Sequence, residues 1–163
     1  MKLILLRHGK AEDSHVDGDF SRALVGKGRD QARNAARLLK SAGELPHIVL
    51  TSPLIRARQT ADEFCQTAGI PGATLQSWLA CGMTPETAMR ELAAFQDFKS
   101  VAIVGHEPDL SGLIEWLLGV SVGSVDMKKG ALACIQIHPG ARSGSLAYLV
   151  PPALLKGGGS PEA

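Results

Sequence analysis

The sequence predicts an α/β fold, a three-layer α/β/α sandwich around a mostly parallel central sheet. Short apolar runs alternate along the chain with longer segments whose apolar residues recur at helical spacing. Several of these runs have the apolar character of strands that helices cover on both faces. The chain has 163 residues, the length of one ordinary domain, so a single core is expected.

The predicted strands follow from the apolar runs. They comprise residues 3–6, 48–50, 73–77, 101–104, 131–137 and 146–150. We expect the first four to be central in the sheet and the last two to pair as a hairpin across a Pro139-Gly140 turn.

The predicted helices lie between the strands and have recognisable ends. The first covers residues 27–42, and Gly43 is a natural stop because glycine readily adopts left-handed backbone angles. The second follows the second strand, with Ser52 as its side-chain cap and Pro53 as its first residue. The third and fourth begin at two further prolines, Pro85 and Pro108. One folded domain is therefore expected over residues 1–155, with a flexible glycine-rich tail over residues 156–163.

The overall charge gives no general attraction to nucleic acid or to a membrane surface. The formal net charge is +1 and 45% of the residues are apolar, so any anion site must be local. The first apolar run stops at Arg7 after four residues, too short for a signal peptide. No stretch approaches the roughly 18 apolar residues of a membrane span. Three widely separated cysteines, Cys65, Cys81 and Cys134, favour reduced, buried thiols and a cytoplasmic location.

Two histidines and two arginines follow strands of the predicted sheet. Arg7 and His8 come directly after the first strand, Arg56 lies in the first turn of the helix after the second strand, and His106 follows the strand at 101–104. Ligands of an open parallel sheet gather at the carboxyl ends of its strands. These four side chains are therefore expected at one edge, where the amino ends of the helices at Pro53 and Pro108 also favour an anion.

This combination of residue types suits a phosphoryl group. Arginine offers planar, permanently charged donors that match phosphate oxygens. A neutral histidine can attack phosphorus and form a transient phosphohistidine. His8 is the better candidate for this nucleophile because Gly9 leaves room for a tetrahedral anion, and His106 would then donate to the phosphoryl oxygens. A zinc site built from His8 and His106 lacks suitable nearby thiolates.

The same residues resemble the histidine phosphatase superfamily, also called the phosphoglycerate-mutase-like family, and within it the short SixA-type phosphohistidine phosphatases. The segments that carry the resemblance are 5–11 (Leu-Leu-Arg-His-Gly-Lys-Ala), 19–24 (Asp-Phe-Ser-Arg-Ala-Leu), 51–61 and 104–108. The resemblance implies a phosphoglycerate-mutase-like sandwich with no metal or other cofactor. It also implies that His8 is phosphorylated and that Arg7, Arg56 and His106 complete the phosphate pocket.

Two further residues acquire expected roles from this resemblance. The backbone N–H of Glu107 matches a position that commonly helps to bind the phosphate. Arg22 lies in a segment that resembles the Asp-x-x-Arg-x-Leu pattern of the short members, where it either lines the pocket mouth or ties the loop down.

One departure from the longer relatives concerns the leaving group. They usually carry an acidic residue after the third strand, whereas here residues 78–83 contain none and the nearest acid is Glu86, inside the next helix. An imidazole leaving group, with a reference pKa of ~6.5, needs less help from an acid than an alkoxide does. The chain also lacks the long insertions that cover the pocket in mutases. We therefore expect an open site and no mutase activity.

We expect a phosphatase that acts on phosphohistidine in a protein, such as a phosphohistidine carrier. The sequence is compatible with a monomeric enzyme. Two alternatives stay open. One is a phosphatase for small phosphate monoesters. The other is a non-catalytic domain that binds phosphate or docks a protein, although such a domain needs the positive charges and not the nucleophile.

Overall fold

Six strands and four helices alternate along residues 1–138 and 140–155, which the computed structural model describes. The strands are β1 (Lys2–Arg7), β2 (Ile48–Thr51), β3 (Thr74–Leu75), β4 (Ser100–Gly105), β5 (Leu132–Ile137) and β6 (Gly144–Val150). The helices are α1 (Gly26–Ser41), α2 (Ile55–Ala68), α3 (Pro85–Leu92) and α4 (Asp109–Leu118). The expected tail at residues 156–163 and the turn residue Pro139 lie outside the described residues.

The strands form one sheet in the order β3-β2-β4-β1-β5-β6. Parallel pairing joins β3 to β2, β2 to β4 and β4 to β1. The last two strands form an antiparallel pair, and β5 is also antiparallel to β1. Within the described chain β5 is thus the single strand that runs against the others, which confirms the mostly parallel sheet.

Helices cover both faces of this sheet, and β1 shows how the sequence produces that arrangement. Successive side chains of a strand point to opposite faces. Leu3 and Leu5 pack with α3 and α4 residues on one face, while Ile4 and Leu6 pack with α1 and α2 residues on the other. All four are at most 2% exposed. The expected three-layer α/β/α sandwich is therefore confirmed.

The position of the third strand differs from its prediction. β3 has only two residues and lies at the edge of the sheet, and both Thr74 and Leu75 are exposed. The chain turns instead into a short 3₁₀ helix, Ser77–Leu79, which buries Leu79. β5, expected near the periphery, lies between β1 and β6 and is almost entirely buried.

Two smaller predictions were also wrong. Cys65 and Cys134 are buried free thiols, but Cys81 is exposed. Ser52 does not cap α2, which starts at Ile55 after Leu54 and has no side-chain cap. Ser52 is itself fully buried and bonded elsewhere, as described below.

Candidate active site

The two histidines meet because their strands are neighbours. β1 pairs with β4 so that Arg7 lies opposite Gly105, and the residues that follow, His8 and His106, emerge side by side. Their ring centroids are 5.3 Å apart with the planes tilted by 53°. The His8 backbone N–H donates to the Gly105 carbonyl at 3.1 Å. The carboxyl edge of the sheet thus brings these two rings together as the sequence predicts.

The local contacts of His8 determine which ring nitrogen is free to react. Nδ1 lies 2.8 Å from the carbonyl oxygen of Gly9. Because a carbonyl can only accept, Nδ1 carries the proton and Nε2 holds the lone pair. Arg56 Nε donates to that Nε2 at 3.3 Å. The unprotonated ring nitrogen of His8, a residue that is 5% exposed, therefore faces the Arg56 guanidinium.

Both rings are neutral near neutral pH. Burial, with smaller contributions from His106, Arg56 and Arg7, lowers the pKa of His8 to about 3 although its bond to the Gly9 carbonyl opposes the shift. Burial and the Arg56 charge lower the pKa of His106 to about 4. A neutral imidazole retains the lone pair that attack on phosphorus requires.

His106 has one satisfied and one unsatisfied ring nitrogen. Its Nε2 lies 2.7 Å from the hydroxyl of Ser52. Its Nδ1 is buried and has no hydrogen-bond partner among residues 1–138 and 140–155. Buried polar atoms without partners are rare in proteins. The sequence predicts Ser52 as a helix cap, because a serine before a proline is typical of that position. The structure shows instead that its hydroxyl contacts His106.

Arg56 is fixed from several sides at the start of α2. It is 3% exposed and, besides its bond to His8, donates from Nη1 to the Asp19 carbonyl at 2.9 Å. Its Nη2 donates to the Asp19 carboxylate at 3.1 Å. Arg56 therefore lies in the first turn of the helix that follows the second strand, as the sequence predicts.

Arg7 is the last residue of β1 and directly precedes His8. Its Nη1 donates to the Met127 carbonyl at 2.8 Å, whereas its buried Nε has no partner within the described part of the chain. Burial lowers the pKa of Arg7 from its usual value, but a guanidinium stays charged. Arg7 and His106 thus each have a buried polar atom without a partner in the described part of the chain.

Gly9 is required for a reason other than the one expected. A Cβ at Gly9 would collide with the backbone of Gly28 in the first turn of α1. The Gly9 N–H donates to the Thr60 hydroxyl at 3.1 Å, and that hydroxyl donates to the Arg56 carbonyl at 2.7 Å. The absence of a side chain at Gly9 therefore lets α1 and α2 pack directly against the segment that carries His8, and the space that a Cβ would take is filled by Gly28 and not by an anion. Thr60, which sequence reasoning overlooked, links the His8 loop to the Arg56 helix.

Arg22 reaches the site through Asp19. Its Nε donates to the Asp19 carboxylate and its Nη1 to the Glu12 carbonyl, both at 2.8 Å. Arg22 thus ties down the loop between β1 and α1, one of the two expected roles. Slight burial opposes the shift, but Arg56 and Arg22 together hold the pKa of Asp19 below its ordinary value. Asp19 was not identified as a site residue, although it opens the Asp-x-x-Arg pattern.

The Glu107 side chain supports α4 instead of the pocket. Its carboxylate accepts from the Ser111 N–H at 2.9 Å and from the Ser111 hydroxyl. Its backbone N–H directly follows His106 in the chain, so a role in phosphate binding stays a prediction.

The Cys81 thiol lies beside Arg56 in the loop after β3. Cys81 Sγ is 3.9 Å from Arg56 Nη2. Burial raises the pKa of this thiol. Asp109 holds the adjoining loop, because its carboxylate accepts from the N–H groups of Gly82 and Met83 at 2.8 and 3.1 Å.

Among residues 1–138 and 140–155, no group of three His, Cys, Asp or Glu side chains is arranged to hold a metal ion. No helix in that part of the chain has the length and apolar character needed to cross a membrane.

Comparison with known proteins identifies the family. The model for the histidine phosphatase superfamily (branch 1) matches residues 3–80, the part of the chain that carries His8 and Arg56. The chain belongs to the histidine phosphatase superfamily. An uncharacterized protein of Picosynechococcus is 30% identical over 156 residues, which cover 89% of this chain and 87% of that protein.

Solved structures and other relatives refine this membership. The structure of the protein histidine phosphatase SixA complexed with tungstate matches with a TM-score of 0.87 and 25% identity, over 96% of this chain and all of that one. A putative phosphohistidine phosphatase SixA from Agrobacterium tumefaciens matches with a TM-score of 0.79 and 26% identity, over 93% of this chain and 98% of that one. Phosphoglycerate mutase 2 of Saccharomyces cerevisiae is 39% identical over 74 residues, 40% of this chain and 24% of the mutase. The chain therefore spans about a quarter of that mutase, and its overall likeness is to SixA.

Proposed function

We propose that this chain removes phosphate from phosphohistidine in a protein, through a phosphoryl group carried transiently on His8. The observation that carries the proposal is the His8 ring, whose Nδ1 proton is held by the Gly9 carbonyl while Nε2 keeps its lone pair toward Arg56. Membership of the phosphatase superfamily and the likeness to SixA support it.

The reaction has two displacements at phosphorus. In the first, His8 Nε2 forms a bond to phosphorus while the bond from phosphorus to the substrate imidazole breaks. The substrate imidazole, protonated on its other nitrogen, leaves as a neutral ring. In the second, water attacks phospho-His8, the bond from phosphorus to Nε2 breaks, and inorganic phosphate leaves with neutral His8 restored.

The pocket residues divide the work of holding the transferring group. Arg7 and Arg56 supply permanent charge for the phosphoryl oxygens, and preorganised donors of this kind stabilise charge that spreads during transfer. His106 supplies the ring nitrogen that has no partner within the described residues, and Ser52 orients that ring. The backbone N–H of Glu107 adds a further donor in this proposal.

The surroundings of Arg56 favour an imidazole leaving group over an alkoxide. The side chain beside Arg56 in the loop after β3 is the Cys81 thiol, not a carboxyl acid. The carboxylate of Asp19 is engaged by two arginines that lower its pKa, so it is a poor proton donor. A leaving group that already carries its proton suits such a site.

The alternative substrate class is a small phosphate monoester. The alpha-ribazole phosphatase of Shigella flexneri shares the fold, with a TM-score of 0.75 at 21% identity, so the scaffold also houses small-molecule phosphatases. Under this alternative the nucleophile and the pocket are unchanged, and only the leaving group differs.

A rapid-quench experiment with two substrates tests the proposal. Protein is mixed with a radiolabelled phosphohistidine peptide or with radiolabelled β-glycerophosphate, an alkyl monoester, without added metal, and quenched in alkali, which preserves phosphohistidine. We expect the label on the enzyme fragment that contains His8, and a kcat/KM about 10²-fold higher for phosphohistidine than for β-glycerophosphate, since an alkoxide leaving group needs the acid that the site lacks. A preference for the monoester would reject the substrate class. Phosphate binding with no label and no turnover would reject catalysis.

A further inference from the structure

A cleft beside the catalytic pocket is lined mainly by cations. This open cleft has a volume of about 380 Å³, and we call it the lysine cleft. Its charged residues are Arg7, Lys10, Lys27, Lys128 and Lys129. Arg7 also belongs to the catalytic pocket, so the cleft begins where the phosphoryl site ends.

The cations of the lysine cleft are carried by backbone that is bound to the nucleophile segment. The Gly130 N–H, next to Lys129, donates to the carbonyls of both Arg7 and His8 at 3.2 and 3.1 Å. The Lys10 N–H donates to Gln31 Oε1 at 2.8 Å. The position of the cleft relative to His8 is therefore fixed by the fold.

The charges of the lysine cleft are mostly uncompensated. Among residues 1–138 and 140–155, no acidic side chain lines it. Lys128 pairs with Asp126 at 2.5 Å, but in the described part of the chain no carboxylate lies within 4.0 Å of Lys10, Lys27 or Lys129. Several cations in one cleft create a positive electrostatic potential, which attracts an anionic partner. Since the net charge of the whole chain is only +1, this concentration is local.

We propose that the lysine cleft docks acidic side chains that flank the phosphohistidine of a protein substrate. This inference rests on the proposed function and names the kind of surface that the enzyme prefers. Lys10 lies in the loop after β1, Lys27 on α1 and Lys128 in the loop before β5, and all three are exposed. Their long side chains can therefore meet carboxylates spread over a protein surface. A compact second phosphate would need enclosed, converging donors. Complementary charges across an interface speed encounter and select partners.

Three matched phosphohistidine peptides test the docking, with glutamates, alanines or lysines around the same phosphohistidine. We expect kcat/KM to be about tenfold higher for the glutamate peptide than for the alanine peptide at low salt, mainly through KM, and the difference to shrink as salt screens the charges. The double variant Lys27→Glu/Lys129→Glu should lose this preference and favour the lysine peptide. Its turnover of p-nitrophenyl phosphate should be unchanged.

Controls separate the possible outcomes. Lys40→Glu/Lys99→Glu makes the same change of charge at exposed positions outside the cleft and should keep the wild-type preference. If the wild type turns over all three peptides equally, the docking proposal fails while the proposed function stands. If it turns over none of them, the proposed function fails. A preference for fructose 1,6-bisphosphate over fructose 6-phosphate that the double variant abolishes, with equal peptide rates, would assign the cleft to a small second phosphate and overturn the proposal.

Discussion

The sheet has an amino edge, at the amino ends of its parallel strands, and a carboxyl edge, at their carboxyl ends. Both edges carry histidine, cations and a cleft, but they differ in whether their polar groups have hydrogen-bond partners. The amino edge holds a cleft of about 500 Å³, larger than the lysine cleft. There Lys2 pairs with Glu44, and His47 Nδ1 lies 2.7 Å from the Ser100 hydroxyl. At the carboxyl edge, Arg7 Nε and His106 Nδ1 are buried and lack partners within the described chain. Trp116 Nε1 on α4 and Tyr148 Oη on β6 also lack partners among the described residues. What distinguishes the carboxyl edge from the amino edge is therefore a pair of unsatisfied polar atoms in the candidate site, not the size of its cleft.

This difference has an energetic meaning. A buried donor or acceptor without a partner costs about 1–3 kcal/mol. The amino edge avoids that cost because its groups pair within the chain. The carboxyl edge bears it at Arg7 and His106, which is expected of groups arranged for a ligand.

The largest expected effect comes from removing one histidine at each edge. His8→Ala should lower turnover of a phosphohistidine peptide by at least about 10³-fold, because the nucleophile is lost. The matched change His47→Ala should leave turnover near the wild-type value and lower the free energy of unfolding by about 1 kcal/mol, through loss of one hydrogen bond. Steady-state kinetics and urea denaturation measure the two quantities. Near-normal turnover in His8→Ala would remove the nucleophile assignment.

Acid should destabilise the carboxyl edge through its buried histidines. Well above pH 6.5 both histidines are neutral in the folded and unfolded states. Below it the unfolded chain binds protons that the folded chain does not, because the folded pKa values are about 3 and 4. The free energy of unfolding should therefore fall as pH drops from 6.5 toward 4, by on the order of 1 kcal/mol or more for each ring.

Variants isolate this contribution from that of the carboxylates. His106→Gln should lose less stability than the wild type between pH 6.5 and 4.5, and adding His8→Gln should flatten the dependence further. Denaturation curves at several pH values give the slopes. Equal slopes in all three proteins would show that the rings are protonated in the folded state.

The smallest expected effect concerns a carboxylate at each edge. Asp19 bonds to Arg56 and Arg22, so a bound phosphate must share or displace its contacts. Asp19→Asn should therefore strengthen competitive inhibition by inorganic phosphate about two- to fivefold, the size of one exposed ion pair. Glu44→Gln removes a carboxylate from the ion pair with Lys2 at the amino edge and should leave the inhibition constant unchanged. Weaker inhibition in Asp19→Asn would mean that Asp19 helps to order the arginines for phosphate.

The sequence predicted the site well where strand order and chain continuity decide the geometry. His8 and His106 meet because β1 and β4 are adjacent, and strands that precede such residues are readable as apolar runs. The prediction from sequence was wrong where the same local pattern is typical of two different roles. Ser52 before Pro53 resembles a helix cap, and only the folded chain shows that His106 uses its hydroxyl.

Contacts between distant segments were the other source of error. The Asp19 contact with Arg56 spans 37 positions, and no periodicity in the sequence reports it. The edge position of β3 was missed for the same reason, because residues 73–77 are consistent with a strand whether or not another strand lies outside them. The roles of Glu107 and Arg22 toward phosphate stay predictions.

The contact of Gly9 with Gly28 has a consequence for altering this enzyme. A Cβ on Gly9 would strike the Gly28 backbone, and one on Gly28 would strike the backbone of Lys10. The nucleophile loop and the first turn of α1 therefore touch main chain to main chain, with no side chain between them to trim or enlarge. A designer who transplants this site into another scaffold must move both segments as one unit, with their spacing intact.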